Sequence, residues 1–232
     1  MLRLLLVSLL SCVVFAQEGA KSPYKVESIP PKMSIKTKKE RFFALMLPPI
    51  LDVYNKLDRE FQGVKVQLQD KNATQSYNIQ QLKQSYGVKS DEELLKALKP
   101  HPPSIALAQA AMESAWGTSR FFREANNVFG MWNNNPDAQR IAAGEKRDGK
   151  HTVYLSKYDS LEQSVKAYYK TLAKGKSYKE FREVRFVSDD VFEMVKKLDK
   201  YSERAQEYTK ELESMIRYNK LTQYDKKKKV NQ

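Results

Sequence analysis

The region between residues 102 and 132 contains the side chains best suited to acid–base chemistry. Glu113 follows Ala110 and Ala106, which would lie one and two turns before it on a helix. Small residues beside a carboxylate let a ligand or another surface approach closely, and Trp116 is within reach of the same face. A carboxyl group on a partly apolar wall has a raised pKa, which is the property that a general acid needs. Ordinary solvent-exposed glutamates show the same spacing, so the spacing alone does not decide between the two roles.

The composition excludes several other kinds of active site. The chain has two histidines, His101 and His151, and one cysteine, Cys12. We therefore predict no metal site and no cofactor, because a cluster of His and Cys ligands is missing. The sequence contains neither a glycine-rich phosphate loop nor a nucleophile elbow. Carboxylates and tyrosines remain, and these are the groups that glycoside hydrolysis uses.

The helix that would position Glu113 has recognisable ends. Pro102 and Pro103 suit a first turn, where a missing N–H costs little, and Gly117 suits a left-handed cap. Apolar residues at three- and four-residue steps predict one core-facing stripe, formed by Ile105, Ala108, Met112 and Ala115. Glu113 lies beside this stripe, so we predict a helix with one buried face and a carboxylate next to it.

Helical periodicity also precedes this region. We predict an N-terminal helical extension over residues 40–100 that packs on the rest of the domain. Pro48 and Pro49 should kink or break its first helix, because proline lacks the N–H that a helix interior needs. Ser90 and Glu93 form a capping box that should open another helix.

The pattern changes after Trp132. Asp148-Gly149 predicts the turn of a β hairpin with arms at 140–146 and 151–158. Helical spacing then resumes, and the predicted helices begin at Ser160, span 189–199, and span 203–218 after a Ser202 cap.

Both ends of the chain differ from the helical pattern. Residues 1–16 have the charge and apolar run of a signal peptide, so we predict an exported protein of the periplasm or cell envelope. In an alternative interpretation Cys12 carries a lipid anchor, but Leu10 is a poor residue for a lipoprotein motif. Residues 17–39 are predicted to be a linker and residues 223–232 a basic tail.

The segments AQAAMESAWG, SRF and NNVFGMW form a long and specific signature. With KYDSLEQSVKAYYKTL, SYKEFREVR and YSERAQEYTKELESMIRYN, they resemble bacterial glucosaminidases, in particular the Bax-type proteins, over residues 100–219. The resemblance implies a mainly α (α+β) fold class, with a lysozyme-like helical domain at 101–222 that carries a small β hairpin. In this family the glutamate of AQAAxES is the catalytic acid, which is Glu113 here.

The resemblance also suggests a second catalytic group. Related glucosaminidases carry a glutamate on the first arm of the hairpin, which points to Glu145. In an inverting glycosidase such a base lies roughly 6.5–9.5 Å from the acid. Glu124, Asp137 and Asp148 remain alternatives, as does attack by the N-acetyl group of the substrate itself.

Further site residues follow from the same motifs. Tyr178 in SYKEFREVR matches a tyrosine that lines the family's active site, where its hydroxyl would hold the N-acetyl group or the water. The residues expected to bind the sugars are Trp116, Asn127, Phe129, Gly130, Trp132 and Tyr158. Aromatic rings stack on sugar faces, and Gly130 lets the backbone approach the glycan. Phe129 is equally a candidate for the core.

The resemblance implies a peptidoglycan hydrolase that cleaves glycan strands as an endo-β-N-acetylglucosaminidase. A muramidase, a lytic transglycosylase and a non-catalytic peptidoglycan-binding module of the same fold remain alternatives. The formal net charge of +13 raises nucleic-acid binding as a function of another class. We expect no nucleic acid among the partners, because the lysines are scattered and no nucleic-acid module is visible. A basic surface would instead concentrate the enzyme on the carboxylate-bearing cell wall.

Overall fold

The computed structural model describes residues 22–30, 32–70, 72, 74–147 and 151–225. The predicted signal peptide with Cys12, the Asp148-Gly149 turn and the four lysines at 226–229 lie outside these residues. The elements of the described chain are α1 (Ile35–Gln69), α2 (Ile79–Tyr86), α3 (Asp91–Leu98), α4 (Pro103–Glu113), α5 (Arg120–Ala125), β1 (Arg140–Arg147), β2 (His151–Ser156), α6 (Leu161–Lys174), α7 (Lys179–Val187), α8 (Val191–Lys196) and α9 (Gln206–Tyr218). Short 3₁₀ helices lie at Lys176–Tyr178, Asp199–Tyr201 and Leu221–Tyr224. The predicted fold class, mainly α with a small β hairpin, is confirmed. None of the helices described has the length and apolar character needed to cross a membrane.

Two apolar clusters form the core. The larger cluster joins the first half of α1 to α4, α6, α8 and α9. The smaller cluster joins the second half of α1 to α2 and α3, and α3 opens with the predicted capping box of Ser90 and Glu93. The N-terminal extension therefore shares both clusters with the helices that follow it.

Helix α1 begins inside the predicted linker and continues past the predicted break. Ser34 caps it by accepting the N–H of Thr37 at 3.1 Å. The helix then runs through Pro48 and Pro49, so the break expected there is absent. The neighbouring side chain of Ile50 is fully buried in the larger cluster. Tertiary packing therefore outweighs the backbone hydrogen bonds that the two prolines cannot make.

Helix α4 is buried on all sides rather than along one stripe. Every residue from Pro103 to Ala111 is buried, and Ala106 and Ala110 are fully inaccessible. Helices α1 and α9 and the 3₁₀ helix Leu221–Tyr224 pack around it. The prediction of a single buried face is therefore wrong, and the two alanines contact protein instead of leaving room for a ligand. A helix that is apolar all round is a core helix.

The N-terminus of α4 is capped by a residue from the other end of the domain. Pro102 makes no side-chain capping bond, and the N–H of Ser104 is accepted by Asp225 Oδ1 at 2.8 Å. A carboxylate at this end of a helix interacts favourably with the helix dipole. The described fold thus extends through Asp225, into the predicted tail 223–232.

Strands β1 and β2 form the predicted antiparallel hairpin. Arg140 lies opposite Ser156, and the pairing is irregular between Ala142 and Lys146. Gly144 lies within this irregular stretch with a φ of 98°, a conformation that favours glycine. The second arm ends at Ser156, two residues earlier than predicted.

The later helices differ from the prediction in their ends. Helix α6 begins at Leu161, one residue after the predicted start, and Ser160 is its N-cap. Helix α8 is shorter at both ends than the predicted 189–199. Helix α9 begins three residues later than predicted, because Ser202 is not its cap. The hydroxyl of Ser202 instead accepts the N–H of Arg204 at 3.3 Å, and Ala205, with a φ of 45°, precedes the helix.

Candidate active site

Glu113 is the last residue of α4, and its side chain lies on the wall of a cleft of about 420 Å³. The residues that line this cleft are Ala111, Met112, Glu113, Ala115, Trp116, Ser202, Arg204, Tyr208, Glu211 and Met215. They come from the end of α4, the turn after it, the loop before α9, and α9 itself. A cleft of this volume is within the range of small-molecule sites.

A chain of hydrogen bonds connects Glu113 to the core. Tyr208 donates to Glu113 Oε1 at 3.0 Å, and Gln109 Nε2 donates to the Tyr208 hydroxyl at 2.8 Å. Tyr168 in turn donates to Gln109 Oε1 at 2.5 Å. Tyr208, Gln109 and Tyr168 are all buried. Because each bond points towards Glu113, the bonds polarise one another and hold one carboxylate oxygen in a fixed position.

The surroundings of Glu113 raise its pKa above the usual value. Burial of the carboxyl group among the cleft residues is the main cause, and the negative charge of Glu211 adds to it. The hydrogen bond from Tyr208 and the positive charge of Arg204 lower the pKa and limit the shift. The negative end of the α4 dipole also disfavours an ionised carboxylate at this position. Although atoms of the cleft surround its carboxyl group, Glu113 as a residue is exposed to solvent, so a substrate can reach its proton.

The chain makes a strained turn directly after Glu113. Ala115, Trp116 and Gly117 have consecutive φ values of 51°, 61° and 71°. Gly117 thus has the predicted left-handed φ, although α4 ends four residues before it. The two residues that are not glycine cost on the order of 1–3 kcal/mol each in this conformation. Ser114 supports the turn, because its hydroxyl donates to a carbonyl of α4 at 2.5 Å and accepts the N–H of Gly117 at 2.8 Å.

Tyr178 belongs to a cluster of tyrosines beside the cleft. Its ring centre lies 6.2 Å from that of Tyr201, which stacks on Tyr208 at 5.6 Å. Burial raises the pKa of Tyr178, and the negative charge of Glu113 raises it further. The structure therefore brings Tyr178 into the electrostatic neighbourhood of Glu113.

Trp116 connects the cleft wall to α1. Its ring packs edge-on against Phe42 at 5.3 Å and Phe43 at 6.0 Å. Lys39, also on α1, places its ammonium group 4.9 Å from the centre of the indole ring. Part of the Trp116 ring is therefore occupied by protein contacts, although the residue lines the cleft.

The sequence comparisons identify the family. The family model described as mannosyl-glycoprotein endo-beta-N-acetylglucosaminidase matches residues 88–221, which is more than half of the chain. The chain belongs to the glucosaminidase family. The family predicted from the motifs is therefore confirmed.

Individual relatives of this glucosaminidase-family chain match it over part of its length. Protein bax from Escherichia coli strain K12 is 32% identical over 134 residues, which cover 54% of this chain and 46% of that protein. The chain thus spans about half the length of this curated relative. The catalytic domain of the autolysin Auto from Listeria monocytogenes is 21% identical, with a TM-score of 0.45, and the match covers 84% of this chain and 100% of that one. A truncated glycoside hydrolase domain of FlgJ from Salmonella typhimurium is 22% identical, with a TM-score of 0.42, and the match covers 60% and 97%.

The glucosaminidase motif NNVFGMW contributes mainly to the scaffold of the site. Asn127 is buried, and its amide group bonds to the backbone of Met131 and of Ser156. Phe129 is buried and stacks on Tyr168 at 3.9 Å, so it belongs to the core. Gly130 differs, because its φ is 66° and a Cβ there would meet no atom within 4 Å.

Trp132 and Tyr158 flank the start and the end of the hairpin region. Trp132 is 56% exposed and forms an isolated β-bridge with Leu155 on β2. Tyr158 is half-buried, and its backbone N–H donates to Ala125 at 2.9 Å. Burial raises the pKa of the Tyr158 phenol. Trp132 is therefore more than half exposed, whereas the backbone of Tyr158 is bonded to the end of α5.

Glu145 lies on strand β1, the first arm of the hairpin, where the resemblance places the second glutamate. Its side chain lies outside the described residues, so its role stays a prediction. Of the alternatives, Glu124 forms an ion pair with Arg120 at 3.3 Å, and Asp148 lies outside the described residues. The backbone N–H of Asp137 donates to Asn135 in an exposed turn.

His101 is a core residue. It is fully buried and stacks on Tyr169 at 4.2 Å, and burial lowers its pKa well below the usual value. Over the part of the chain that the structure describes, no three His, Cys, Asp or Glu side chains are grouped closely enough to hold a metal ion.

The sequence did not reveal Tyr208 or Gln109 as site residues. Tyr208 is separated from Glu113 by 95 positions, and Gln109 from Tyr208 by 99. Gln109 lies one turn before Glu113, inside the motif AQAAMES, and this short spacing was the signal that could have drawn attention to it. Tyr208 lies in the quoted segment YSERAQEYTKELESMIRYN, but no spacing within that segment indicates a contact with Glu113.

Proposed function

We propose that this protein hydrolyses the glycan strands of peptidoglycan as an endo-β-N-acetylglucosaminidase, with Glu113 as the general acid. The observation that carries the proposal is the position of Glu113 on the wall of a cleft, where Tyr208 donates a hydrogen bond to its carboxylate. Burial raises the pKa of Glu113 there, which suits a general acid. Membership of a family described as endo-β-N-acetylglucosaminidase supports the type of bond that is cut.

Glu113 acts on the leaving sugar in this proposal. A raised pKa keeps more of the carboxyl group protonated near neutral pH. Glu113 gives this proton to the glycosidic oxygen while the bond between that oxygen and the anomeric carbon breaks. The carboxylate that remains is stabilised by the hydrogen bond from Tyr208 and by the charge of Arg204. The same two residues thus keep Glu113 acidic enough to release its proton.

A second group must direct the attack on the anomeric carbon. We propose Glu145 as the base that takes a proton from the attacking water, which would make the enzyme inverting. If the N-acetyl group of the substrate attacks instead, no base is needed for that step, and Tyr178 would hold the N-acetyl group in position. The place of Tyr178 in the tyrosine cluster beside Glu113 supports this role.

The open surfaces near the hairpin support sugar binding. Trp132 presents an exposed aromatic ring, and Gly130 has free space where other residues carry a side chain. Aromatic rings stack on the apolar faces of sugars, while a glycine lets the backbone approach them. We also propose that the protein works outside the cytoplasm, where peptidoglycan lies, as the predicted signal peptide at 1–16 requires.

Digestion of purified sacculi tests the proposed function. The wild type should release soluble fragments with reducing N-acetylglucosamine ends, and Glu113→Gln serves as the control that lacks the transferable proton. Reducing N-acetylmuramic acid ends would identify a muramidase, and anhydro-N-acetylmuramic acid ends a lytic transglycosylase. Co-sedimentation without fragment release would identify a binding module and would contradict the proposal of an enzyme.

A further inference from the structure

The first turns of α1 place a lysine beside the wall of the cleft. The Lys39 ammonium group lies 4.9 Å from the ring centre of Trp116 and 4.9 Å from that of Tyr218. Trp116 lines the cleft that contains Glu113. Lys39 lies outside the residues that match the family, 88–221. Helix α1 therefore places a positive charge against the ring of Trp116, a residue of the cleft wall.

The ammonium group of Lys39 has donors available for a ligand. It donates one hydrogen bond, to Asn219 Oδ1 at 2.7 Å, whereas a lysine ammonium has three N–H donors. Among the described residues, no carboxylate lies within 4 Å of it. Lys36, one turn earlier on the same helix, differs because it pairs with Glu40 at 3.9 Å.

The surface around Lys39 combines this charge with an open aromatic ring. Tyr218 is 81% exposed, and Lys39 itself is half-buried. The two rings displace part of the water around the ammonium group, so a carboxylate that reaches it is attracted more strongly than at a fully hydrated lysine. An exposed tyrosine ring next to a cation suits a sugar that carries a carboxylate, because the ring contacts the sugar face and the cation binds the charge.

We propose that Lys39 and Tyr218 form a subsite that binds a carboxylate of the substrate glycan. The inference rests on the proposed function, and it concerns strand recognition rather than bond cleavage. Peptidoglycan offers this carboxylate from two sources, the stem peptide and, where the peptide has been removed, the lactyl group of the sugar. Lys39 thereby gives the enzyme a preference for anionic strands over neutral ones.

A purely structural role for Lys39 makes a different prediction. Lys39 joins α1 to Asn219, the residue that follows the last turn of α9, where a cation interacts favourably with the helix dipole. If this were its whole role, Lys39→Met would lower the melting temperature and would change the binding of charged and neutral strands equally.

Binding measured with a variant that does not cleave the glycan distinguishes the proposed subsite from a purely structural role of Lys39. Calorimetry on the full chain carrying Glu113→Gln would use three soluble strands: peptide-bearing glycan, peptide-stripped glycan, and stripped glycan whose carboxylates are methyl esters. Adding Lys39→Met should weaken binding to a carboxylate-bearing strand about tenfold, because one charge-assisted hydrogen bond is lost. Binding to the methyl-esterified strand should not change. Lys39→Arg should retain the binding, and the matched control Lys36→Met should leave all three affinities unchanged.

The pattern of loss identifies the source of the carboxylate. A loss confined to peptide-bearing strands assigns the stem peptide, and a loss on stripped strands assigns the lactyl group. An equal loss on the ester, no loss on any strand, or no binding of the parent protein to any strand overturns the subsite. Failure of the wild type to release fragments from sacculi would instead overturn the proposed hydrolysis, because the binding measurement does not depend on cleavage.

Discussion

The C-terminal end of α4 and the hairpin β1–β2 each carry a candidate catalytic glutamate, but they are built in different ways. Glu113 ends a helix that is buried on all sides, and Tyr208 fixes its carboxylate from the core. In the described part of the hairpin, Leu155 is the one buried side chain. The hairpin is attached through a few bonds, such as that from Arg120 Nη2 to Ala142 O at 2.5 Å. The position of Glu113 is therefore set by the core, whereas that of the hairpin glutamate is set by strand pairing and a small number of hydrogen bonds.

The largest effect on activity is expected at Glu113, which contacts with the core hold in place. Glu113→Gln keeps the size of the side chain but removes the transferable proton, so activity on sacculi should fall by about 10²–10⁴-fold. Stability should hold or rise, because burial raises the pKa of Glu113 and folding therefore disfavours its ionised form at neutral pH. Fragment release and thermal melts of matched samples measure the two effects. Activity within about threefold of the wild type would show that Glu113 is not the acid.

The hairpin should show a loss of rate with no change in stability. Glu145→Gln should lower turnover about 10²-fold, as expected for a general base. Its melting temperature should match that of the wild type, because the hairpin contributes little to the core. The same digestion assay and melts apply. An unchanged rate would remove Glu145 from the mechanism and would favour attack by the N-acetyl group, or a base at Asp148 or Glu124.

The hydrogen bond from Tyr208 should affect the pH dependence of the rate. Tyr208→Phe removes a donor to the Glu113 carboxylate, so the pKa of Glu113 should rise further. The basic limb of the pH–rate profile should then move to higher pH, and the maximal rate should fall about tenfold because the acid is weaker. Tyr154→Phe, which removes a hydroxyl from the hairpin, is the control and should leave the profile in place. A Tyr208→Phe profile identical to that of the wild type would show that the chain of hydrogen bonds does not tune the acid.

The smallest effect is expected for His101, which lies in the helical core and not in the hairpin. Burial lowers the pKa of His101, so the folded protein keeps it neutral at a pH where the unfolded chain binds a proton. As the pH falls below about 6.5, the unfolded state is therefore favoured, by at most about 1.4 kcal/mol per pH unit. His101→Phe should reduce the loss of melting temperature between pH 7.5 and pH 5.5, measured by calorimetry. An equal loss in both proteins would mean that His101 does not contribute to acid sensitivity.

Features set by neighbouring residues were predictable from the sequence. The capping box at Ser90 and the left-handed φ of Gly117 follow from local hydrogen bonds and backbone sterics, and both are present. The cap predicted at Gly117 is wrong, because Ser114 is the C-cap of α4. Glu113 was identified through its motif rather than its spacing, because the spacing allowed either a ligand or another surface to approach Ala106 and Ala110. In the structure both alanines are buried against protein.

Features set by distant residues were not predictable from local patterns. Tyr208 reaches Glu113 across 95 positions, and no period in the sequence marks this contact. The continuity of α1 through Pro48 and Pro49 has the same origin, because packing against the domain decides it. The sequence therefore located the proposed acid, Glu113, but not the residues that hydrogen-bond to it and shift its pKa.

The hydrogen bond between Ser104 and Asp225 connects the start of α4, the helix that carries Glu113, to a residue that is synthesised much later. The two residues are 121 positions apart, so the start of α4 is made long before the carboxylate that caps it. Domains fold as units, and a chain that emerges from its N-terminus cannot complete this contact early. We expect the N-terminus of α4 to gain this cap only when the chain through Asp225 takes part in folding.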